Sequence, residues 1–593
     1  MTQNSTSDQE EVVLQGIGVS PGVVIGPVFR LVNEEEHIVE RDVTPREIPR
    51  EINRFHGSLD ATRRQIRDIQ STFEKSIGHG DASIFDAHLM VLDDRVFIEE
   101  VVRDITEKRR NAEAGVRVVS EKYAAALGAI KDAYLRERVV DVQDVARRIL
   151  RNLSGRQEAP SEDIDQPSIL VATELAPSET AALKRDKVLG FATDLGSPTA
   201  HTAVMARAMR IPAVVGLHDI SVRVSTGDRM LMDGNKGVLI IRPTAERLSE
   251  YGHVLEVRKS FENVLQGQVA LVAETRDAHR VGLSANIEIP EELDAVVSQG
   301  AEGIGLFRSE FVFLAQGHLP SEDEQAEIYE RVAKRLAPAP VVIRTLDLGG
   351  DKFLSHVKYP SEMNPFMGWR AIRLCLAQPD MFRTQLRAIL RASRHGNVKI
   401  MYPMITKVDE VLQAQELLES AKAELRSKGT PFDEQLPVGV MIETPSAALT
   451  TRAIAPHVSF FSVGTNDLIQ YTLAVDRVNE RVAYLYEPTH PAIVRLIKET
   501  IDVGHEHGVH VALCGEMGAD PIMAPLLIGL GLDEISVTPT AIPLIKDAIR
   551  HLSHKDSQAL AEEAMKKHSA AEIVSLCREV IAQVRPEILD LVR

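Results

Sequence analysis

Cysteine is scarce in this sequence of 593 residues. Cys375, Cys514 and Cys577 are far apart, odd in number and form no CxxC pair. This usage argues against a disulfide framework and against a zinc knuckle, and it fits a reducing compartment.

Positive charge is also in short supply. The sequence has 68 Lys and Arg against 86 Asp and Glu, which gives a net charge of −18. Nucleic acids and anionic membranes are recognised by basic surfaces, so this balance argues against either as a partner.

Long apolar runs are missing as well. No uncharged run approaches the roughly 20 residues that a membrane span needs. The first residues, MTQNSTSDQEE, are too polar and acidic for a signal peptide. Together these absences predict a cytoplasmic protein without membrane insertion.

Two kinds of sequence pattern alternate in the first half of the chain. The stretch from about 45 to 155 is charged and places apolar residues three, four and seven apart, at Ile52, Phe55, Leu59, Ile66, Ile69, Phe73 and Ile77. Short apolar runs with turn residues flank it, at 12–30, 168–173, 188–193, 213–217 and 237–241. We therefore expect a helical bundle at 45–155, inserted into a small α/β domain built from 1–32 and 156–243.

The second half alternates apolar segments with helical stretches. Eight candidate strands lie at 281–287, 303–308, 341–347, 398–404, 438–444, 460–467, 509–515 and 534–539. Eight such units predict a (β/α)₈ TIM-type barrel over 267–593, preceded by a linker helix at 244–266. A doubly wound parallel sheet is the structural alternative.

Polar side chains end most of these strands. They are Arg308, Arg344, Asp347, Glu443, Asn466, Asp467 and Cys514, and Arg477 follows in LAVDR. In barrels the chemistry lies at the carboxyl ends of the strands. Arginines fork onto phosphate and carboxylate oxygens, and a Glu with an Asp can hold Mg²⁺. Each residue alone could be a solvated strand end or an ion pair. As a set they predict a site for a small phosphorylated, carboxylate-bearing anion.

One of these side chains is a thiol. Cys514 ends the apolar strand of VALCGE, where a buried cysteine is usually inert packing. Beside a Mg²⁺ and arginine site it could instead donate a proton, if its pKa is tuned toward neutral.

A histidine stands at the start of a helical pattern in GSPTAHTAVMARAMRIPAVVG, residues 196–216. Ser197 is a plausible N-cap, and Pro198 suits the first helical position. His201 then lies in the first turn, where the positive dipole end disfavours imidazolium and stabilises a phosphoryl group. The pattern suits a phosphohistidine, and a histidine that only caps or packs is the alternative.

These motifs resemble one family. The histidine segment, together with GIGLFRSEFVFL, VIRTLDLGGDK, NPFMGWRAIR, MIETPSA, FFSVGTNDLIQYTLAVDR and LCGEMG, is similar to Enzyme I of the bacterial phosphoenolpyruvate-dependent sugar phosphotransferase system. IFDAHLMVLDD and YLRERVVDVQDVARRIL resemble the helical carrier-binding region of that family. The likeness runs from about residue 14 to the C-terminus, in the order of the family.

The resemblance implies a role for each matching residue. His201 would be phosphorylated through Nε2, with Thr180 of LAPSET orienting it. Cys514 would protonate the departing enolate to give pyruvate, and Arg370 of GWR would stabilise the transferring phosphoryl group. Glu443 and Asp467 would bind Mg²⁺, and phosphoenolpyruvate would be bound by Arg308, Arg344, Asn466, Asp467 and Arg477.

The resemblance also implies partners and motion. The bundle would dock the histidine phosphocarrier protein HPr, the histidine domain would swing between barrel and carrier, and the barrel would form a homodimer. The family usually has a glycine and a basic residue where this chain has Ser197 and Pro198. This departure puts in doubt the flexibility of the turn before the histidine and one contact to the phosphate.

Three other functions remain open at this point. They are a stand-alone nitrogen-type Enzyme I paralogue that serves another carrier, a pyruvate phosphate dikinase or phosphoenolpyruvate synthase, and a non-catalytic regulatory protein.

Overall fold

The computed structural model describes residues 11–31, 40–77, 84–128, 133–155, 164–181, 183–184, 186–197, 201–209, 211–314, 318–349, 362, 364–477, 479 and 481–591. The chain divides into two compact units, Met1–Glu256 and Val257–Arg593. In the part of the chain so described, no helix is both long and apolar enough to cross a membrane.

An eight-stranded mixed sheet forms the α/β part of the first unit, in the order β1-β8-β7-β3-β4-β5-β6-β2. Strands β3 to β6 run parallel, and the other pairs are antiparallel. The bounds are β1 Val12–Gln15, β2 Ile17–Ser20, β3 Val23–Arg30, β4 Ser168–Ala172, β5 Val188–Thr193, β6 Ala213–Val215, β7 Arg229–Asp233 and β8 Val238–Ile241. Strand β4 is buried throughout, as expected for a parallel strand in the middle of a sheet.

Among the described residues, five helices lie between β3 and β4 in the chain. They are α1 Ile48–Ile77, α2 Ile84–Leu92, α3 Arg95–Glu107, α4 Ala112–Gly128 and α5 Ala133–Ser154. Of the predicted apolar stripe, Phe55, Leu59 and Ile66 are buried, Ile52 and Ile69 pack partly buried against the same core, and the side chains of Phe73 and Ile77 lie outside the described residues. The helical content confirms the predicted insertion of a bundle, while the domain boundaries given above stay a prediction.

Local chemistry fixes where these helices start and how they meet. Asp94 caps α3, because its Oδ1 accepts hydrogen bonds from the N–H groups of Val96 and Phe97 at 2.8 and 3.1 Å. Phe97 then packs edge-on against Tyr123 of α4, with ring centroids 5.5 Å apart. Burying one such aromatic ring contributes roughly 1.5–3 kcal/mol.

Three short helices connect the strands of the sheet. They are α6 Pro177–Ala181, α7 His201–Met209 and α8 Ile220–Arg223. A longer helix, α9 Ala245–Gly267, follows β8 and continues into the second unit, close to the predicted linker at 244–266.

The second unit is a closed barrel of eight parallel strands, so the predicted barrel is confirmed and the doubly wound alternative is wrong. Its strands are β9 Gly282–Ile287, β10 Ile304–Arg308, β11 Val341–Arg344, β12 Val398–Tyr402, β13 Val438–Ile442, β14 Phe460–Val463, β15 His510–Leu513 and β16 Glu534–Val537. Each of the eight predicted segments contains one of them.

Helices surround this barrel and bury its outer face. They are α10 Leu293–Ser298, α11 Glu310–Leu314, α12 Glu322–Leu336, α13 Ala371–Ala377, α14 Pro379–Ser393, α15 Val408–Lys428, α16 Pro445–Leu449, α17 Thr451–Ile454, α18 Thr465–Leu473, α19 Pro491–Glu506, α20 Ala524–Leu530, α21 Ile542–His551, α22 His554–Ala564, α23 Ala570–Val584 and α24 Glu587–Leu591.

Several strands end sooner than predicted. Strand β14 stops at Val463, because Gly464 turns the chain and α18 begins at Thr465. Strand β11 stops at Arg344. As a result, Asp347 lies in a loop, and Asn466 and Asp467 lie in the first turn of a helix.

Candidate active site

Two mostly buried arginines share one carboxylate at the carboxyl ends of the barrel strands. Arg344 ends β11, and its Nη1 lies 3.0 Å from Asp347 Oδ2. Arg370, directly before α13, donates from Nε and Nη2 to Asp347 Oδ1 at 3.1 and 2.8 Å. Asp347 therefore contacts both guanidiniums and holds them together at the mouth of the barrel.

Glu310 adds a second carboxylate that the sequence analysis did not identify. Its Oε1 accepts hydrogen bonds from Arg344 Nη2 at 2.7 Å and from the N–H of Asp347 at 3.1 Å. Burial alone would lower the pKa of Arg344, but the charges of Glu310 and Asp347 outweigh it and raise that pKa. The guanidinium is thus permanently charged although it is buried.

Two further carboxylates face this pair. Glu443 follows β13 and is 2 % exposed, and its Oε1 accepts from the N–H of Met404 at 2.6 Å. Asp467 Oδ2 lies 3.6 Å from Arg370 Nη2. Burial, and then the charges of Asp347 and Asp467, raise the pKa of Glu443 to about 8. Burial is the largest cause of this shift, and the two neighbouring carboxylates add to it.

The charges of the site fit a divalent cation. Glu310, Asp347, Glu443 and Asp467 are opposed by two buried arginines, Arg344 and Arg370, which leaves two negative charges when every carboxyl is ionised. In the described residues no three His, Cys, Asp or Glu side chains form a ready-made cage. A Mg²⁺ ion bound by two carboxylates completes its shell with water and substrate oxygens, so the donor set suits it.

Glycine leaves space beside the predicted metal ligands. A Cβ at Gly464, between β14 and α18, would lie 2.9 Å from Glu443 Cβ and 3.0 Å from Glu443 Oε2. Any larger residue there would displace the Glu443 carboxylate.

Cys514 lies buried directly after β15. Its Sγ donates weakly to the Val463 carbonyl at 3.8 Å, and its own carbonyl accepts from Asn286 Nδ2 at 3.0 Å. Burial raises the pKa of the thiol to about 11, and the charges of Arg344 and Arg308 oppose that shift only in part. The expected tuning toward neutral is therefore wrong in direction, because desolvation outweighs the arginines; the thiol stays protonated.

The outer predicted residues pair with exposed carboxylates. Arg308 Nη1 lies 2.5 Å from Glu288 Oε1. Asn466 exchanges two hydrogen bonds with Glu516, and Arg477 Nη1 lies 3.7 Å from the same carboxylate. These side chains ring the buried cluster, so the structure brings all the predicted barrel residues to one end of the barrel.

The remaining two predicted residues lie in the first unit. Helix α7 begins at His201, whose side chain is outside the described residues, as is Pro198, so the Ser197–Pro198 cap stays a prediction. Thr180 is buried in α6, and its hydroxyl donates to the Ala176 carbonyl at 3.0 Å. Helices α6 and α7 pack together, and Thr202 Oγ1 ties the start of α7 to the Leu175 carbonyl at 2.8 Å. The predicted contact of Thr180 with His201 stays a prediction.

Tyr471 and Gln385 are further site residues that sequence reasoning missed. Tyr471 accepts from Arg370 Nη1 at 3.4 Å, and Gln385 Oε1 accepts from the N–H of Leu346, which holds the loop before Asp347. Both lie inside helices, three or more residues from any strand end. A search for polar residues at strand ends therefore does not find them. Glu310 could have been found, because it follows Arg308 by two residues.

Fold and site together define a class: a protein with a (β/α)₈ barrel that gathers arginines and carboxylates at the carboxyl ends of its strands, and a further α/β unit in which a helix begins at a histidine. Family models agree with this class. Residues 263–554 match the PEP-utilising enzyme, PEP-binding domain; residues 15–138 match the PEP-utilising enzyme, N-terminal; and residues 164–237 match the PEP-utilising enzyme, mobile domain.

Known proteins match over nearly the whole chain. Phosphoenolpyruvate-protein phosphotransferase of Listeria monocytogenes is 40 % identical over 573 residues, which cover 96 % of this chain and 99 % of the relative. The proteins of the same name from Haemophilus influenzae and Bacillus subtilis are 41 % and 40 % identical, covering 96 % and 95 % of this chain and 99 % of each relative. The chain belongs to the phosphoenolpyruvate-protein phosphotransferase family.

Proposed function

We propose that this chain takes the phosphoryl group of phosphoenolpyruvate onto His201 and passes it to a histidine phosphocarrier protein of the HPr type. Transfer from phosphoenolpyruvate to protein is the activity of the family, which makes the chain an enzyme, and the nitrogen-type paralogue is not favoured. The observation that carries the assignment of the site is the buried cluster of Arg344, Arg370, Asp347, Glu443 and Asp467 at the barrel mouth.

The arginines suit the two anionic groups of phosphoenolpyruvate. Arg344 and Arg370 are oriented by Asp347 before substrate arrives, and preorganised donors stabilise developing charge without reorganisation. At the rim of the site, substrate oxygens would replace Glu288 as the partner of Arg308 and Glu516 as the partner of Asn466 and Arg477. These three side chains would then bind the carboxylate and phosphate of the substrate.

A magnesium ion fits the same site. Glu443 and Asp467 would hold it, and a bound Mg²⁺ neutralises phosphoryl charge during transfer. The charge of Asp467, which adds to the burial that raises the pKa of Glu443, places these two carboxylates close enough to support this assignment.

The chemistry requires one proton. When the bond between phosphorus and the enol oxygen breaks, a new bond forms between phosphorus and His201 Nε2, and the enolate remains. Cys514, whose thiol is kept protonated by burial, would give its proton to the enolate carbon, leaving pyruvate and a thiolate. The positive charge of Arg344 would stabilise that thiolate until it regains a proton from solvent.

His201 and the barrel site lie in different units of the chain. The proposal therefore requires His201 to reach the barrel mouth for one transfer and the carrier for the next. We assign carrier docking to the bundle of α1 to α5, dimerisation to the barrel and the cytoplasm as the location, all on the family resemblance.

The test follows the phosphoryl group. The full chain is incubated with phosphoenolpyruvate labelled in its phosphoryl group and Mg²⁺, with and without HPr. His201→Asn is the test variant, and His218→Asn is the matched control. His218 is an exposed histidine of the same unit at φ +67°, a conformation that asparagine tolerates.

Acid-labile, base-stable label on the wild type and on His218→Asn, absent from His201→Asn and passed to HPr, is the expected result. Label that remains on the protein in the presence of HPr would assign a different carrier. Equal labelling of both variants would refute His201 as the acceptor.

A further inference from the structure

Three side chains on one face of α5 hold the first turn of α6. Asp144, Arg148 and Arg151 are spaced by four and three residues and so project from the same side of the helix. Asp144 accepts hydrogen bonds from Ser178, at Oδ1 from the hydroxyl (2.9 Å) and at Oδ2 from the backbone N–H (3.2 Å).

The two arginines add further hydrogen bonds from α5 to α6. Arg148 Nη2 donates to the hydroxyl oxygen of Ser178 at 2.8 Å, and Arg151 Nη2 donates to Glu179 Oε1 at 2.8 Å. The Ser178 hydroxyl therefore donates to one partner on α5 and accepts from another. We call Asp144, Arg148, Arg151, Ser178 and Glu179 the α5–α6 clamp.

The centre of the clamp is removed from water. Asp144 is 4 % and Ser178 is 1 % exposed, and His88 of α2, also buried, brings Nε2 to 3.1 Å from Asp144 Oδ2. Burial alone would raise the pKa of Asp144, but the hydrogen bond from His88 and the nearby positive charges lower it to about 2. The carboxylate stays ionised and engages α6 from within the bundle core.

The clamp holds α6 at positions that are close in sequence to the residues we assign to phosphoryl transfer. Thr180 lies two residues after Ser178. Leu175, three residues before Ser178, receives the hydroxyl of Thr202, the neighbour of His201 in the first turn of α7. The helical bundle is thus linked, through buried and partly buried hydrogen bonds and the segment from Leu175 to Ser178, to the turn in which His201 lies.

We propose that Asp144 is a positioning residue for phosphoryl transfer, and that through the α5–α6 clamp the helical bundle sets the placement of α6 and of the His201 turn. The inference rests on the proposed role of His201. Directional bonds to a buried carboxylate specify position more than they add stability, because well-packed apolar residues often stabilise such a site equally well. Transfer, by contrast, loses up to about 100-fold when a reacting group is displaced by 1 Å.

The test variant is Asp144→Asn. The amide has one oxygen where the carboxylate has two, so one of the two Ser178 donors loses its acceptor. The matched control is Asp104→Asn in α3. Asp104 is also 4 % exposed, but its partners Lys108 and Arg110 belong to the bundle itself. Ser178→Ala removes the clamp from the other side and decides the question should Asp144→Asn fail to fold.

Two rates and one affinity separate positioning from general damage. Single-turnover labelling from phosphoenolpyruvate gives the rate of His201 phosphorylation, and chase onto HPr gives the second transfer. Trp369, the single tryptophan of the sequence, directly precedes Arg370 in the barrel, so its fluorescence reports the affinity for phosphoenolpyruvate.

We expect Asp144→Asn and Ser178→Ala to slow phosphorylation of His201 by about 10-fold or more, with unchanged affinity for phosphoenolpyruvate. Asp104→Asn should phosphorylate at the wild-type rate after correction for its folded fraction. The double variant of Asp144 and Ser178 should be no slower than the slower single variant, because both remove one interaction.

Several results would overturn the inference. Phosphorylation of both clamp variants at the Asp104→Asn rate would show that the clamp is structural only. A parallel loss of phosphoenolpyruvate affinity would place the defect in the barrel. Wild-type protein that takes no label on His201 would refute the proposed function, and the positioning role with it, before any variant is compared.

Discussion

The buried carboxylate of Asp144 makes the stability of the first unit depend on acid in a defined way. Its pKa is lowered from 3.8 to about 2, in spite of burial, by the hydrogen bond and charge of His88 and the charge of Arg148. Because the folded value lies below the unfolded one, the ionised group stabilises the fold above about pH 4, and this contribution is lost as the pH falls toward 2. A shift of that size corresponds to about 2 kcal/mol.

The perturbation is again Asp144→Asn, which cannot ionise. We expect its cost in unfolding free energy to be largest at neutral pH and to shrink by about 2 kcal/mol between pH 5 and pH 2. His88→Gln keeps a hydrogen-bond donor but removes the ring. In this variant, which retains Asp144, the unfolding free energy should fall less steeply between pH 5 and pH 2.

Pulse proteolysis in urea suits this measurement, because it reads the unfolded fraction and pepsin is active in acid. Fragments of the first unit, identified by mass, report that unit separately from the barrel. A cost of Asp144→Asn that is constant from pH 5 to pH 2 would refute the reasoning, since the carboxylate would then have the same pKa in both states.

Three predictions concern the barrel site. Arg344→Lys keeps the charge but loses the fork onto Glu310 and Asp347, and we expect KM for phosphoenolpyruvate to rise about 10-fold or more in steady-state assays; an unchanged KM would exclude Arg344 from binding. Cys514→Ser should slow pyruvate formation by about 100-fold or more while ligand binding, read from Trp369 fluorescence, persists; wild-type turnover would exclude the thiol as the proton donor. We expect Gly464→Ala to need more Mg²⁺ for half-maximal phosphorylation in a metal titration, because its Cβ would lie 2.9 Å from the Glu443 side chain. An unchanged titration would place the ion elsewhere.

The barrel could be predicted from the sequence because its strands are buried and short. Each of the eight is an apolar run bounded by polar or turn residues, and the polar residue at the carboxyl end is the one that the fold brings to the mouth. The order of strands around the barrel then follows from the chain order. Arg308 and Arg344 were found in this way.

The mixed sheet of the first unit could not be predicted to the same extent. Strand β7, RMLMD, begins and ends with a charge and was missed, although its centre is buried. Strand direction could not be predicted either, because one sheet contains both kinds of pair: β3 to β6 pair in parallel, and the strands on both sides of them pair antiparallel.

The α5–α6 clamp was missed for a related reason. In the sequence, Asp144 and Arg148 belong to a charged helix, a pattern that normally indicates a solvated face. Their partner Ser178 is 34 residues from Asp144, beyond a segment whose packing no local pattern reports. Buried polar side chains whose partners are distant in sequence are therefore the part of a site that sequence periodicity misses.

The electrostatics of the barrel mouth explain why substrate and metal would be needed together. Arg344 is already matched by Glu310 and Asp347, and Arg370 by Asp347, so neither offers an unopposed positive charge to an anion. A multiply charged substrate entering alone would be repelled by Asp467, and by Glu443 when that carboxyl is ionised, which its raised pKa of about 8 opposes at neutral pH. A divalent cation bound by those two carboxylates would offset their two negative charges, and the rim arginines Arg308 and Arg477 would then supply positive charge to the substrate. The carboxylates thus hold the arginines in position, and on the proposed assignment of Mg²⁺ to Glu443 and Asp467 they would also make substrate binding depend on the cation.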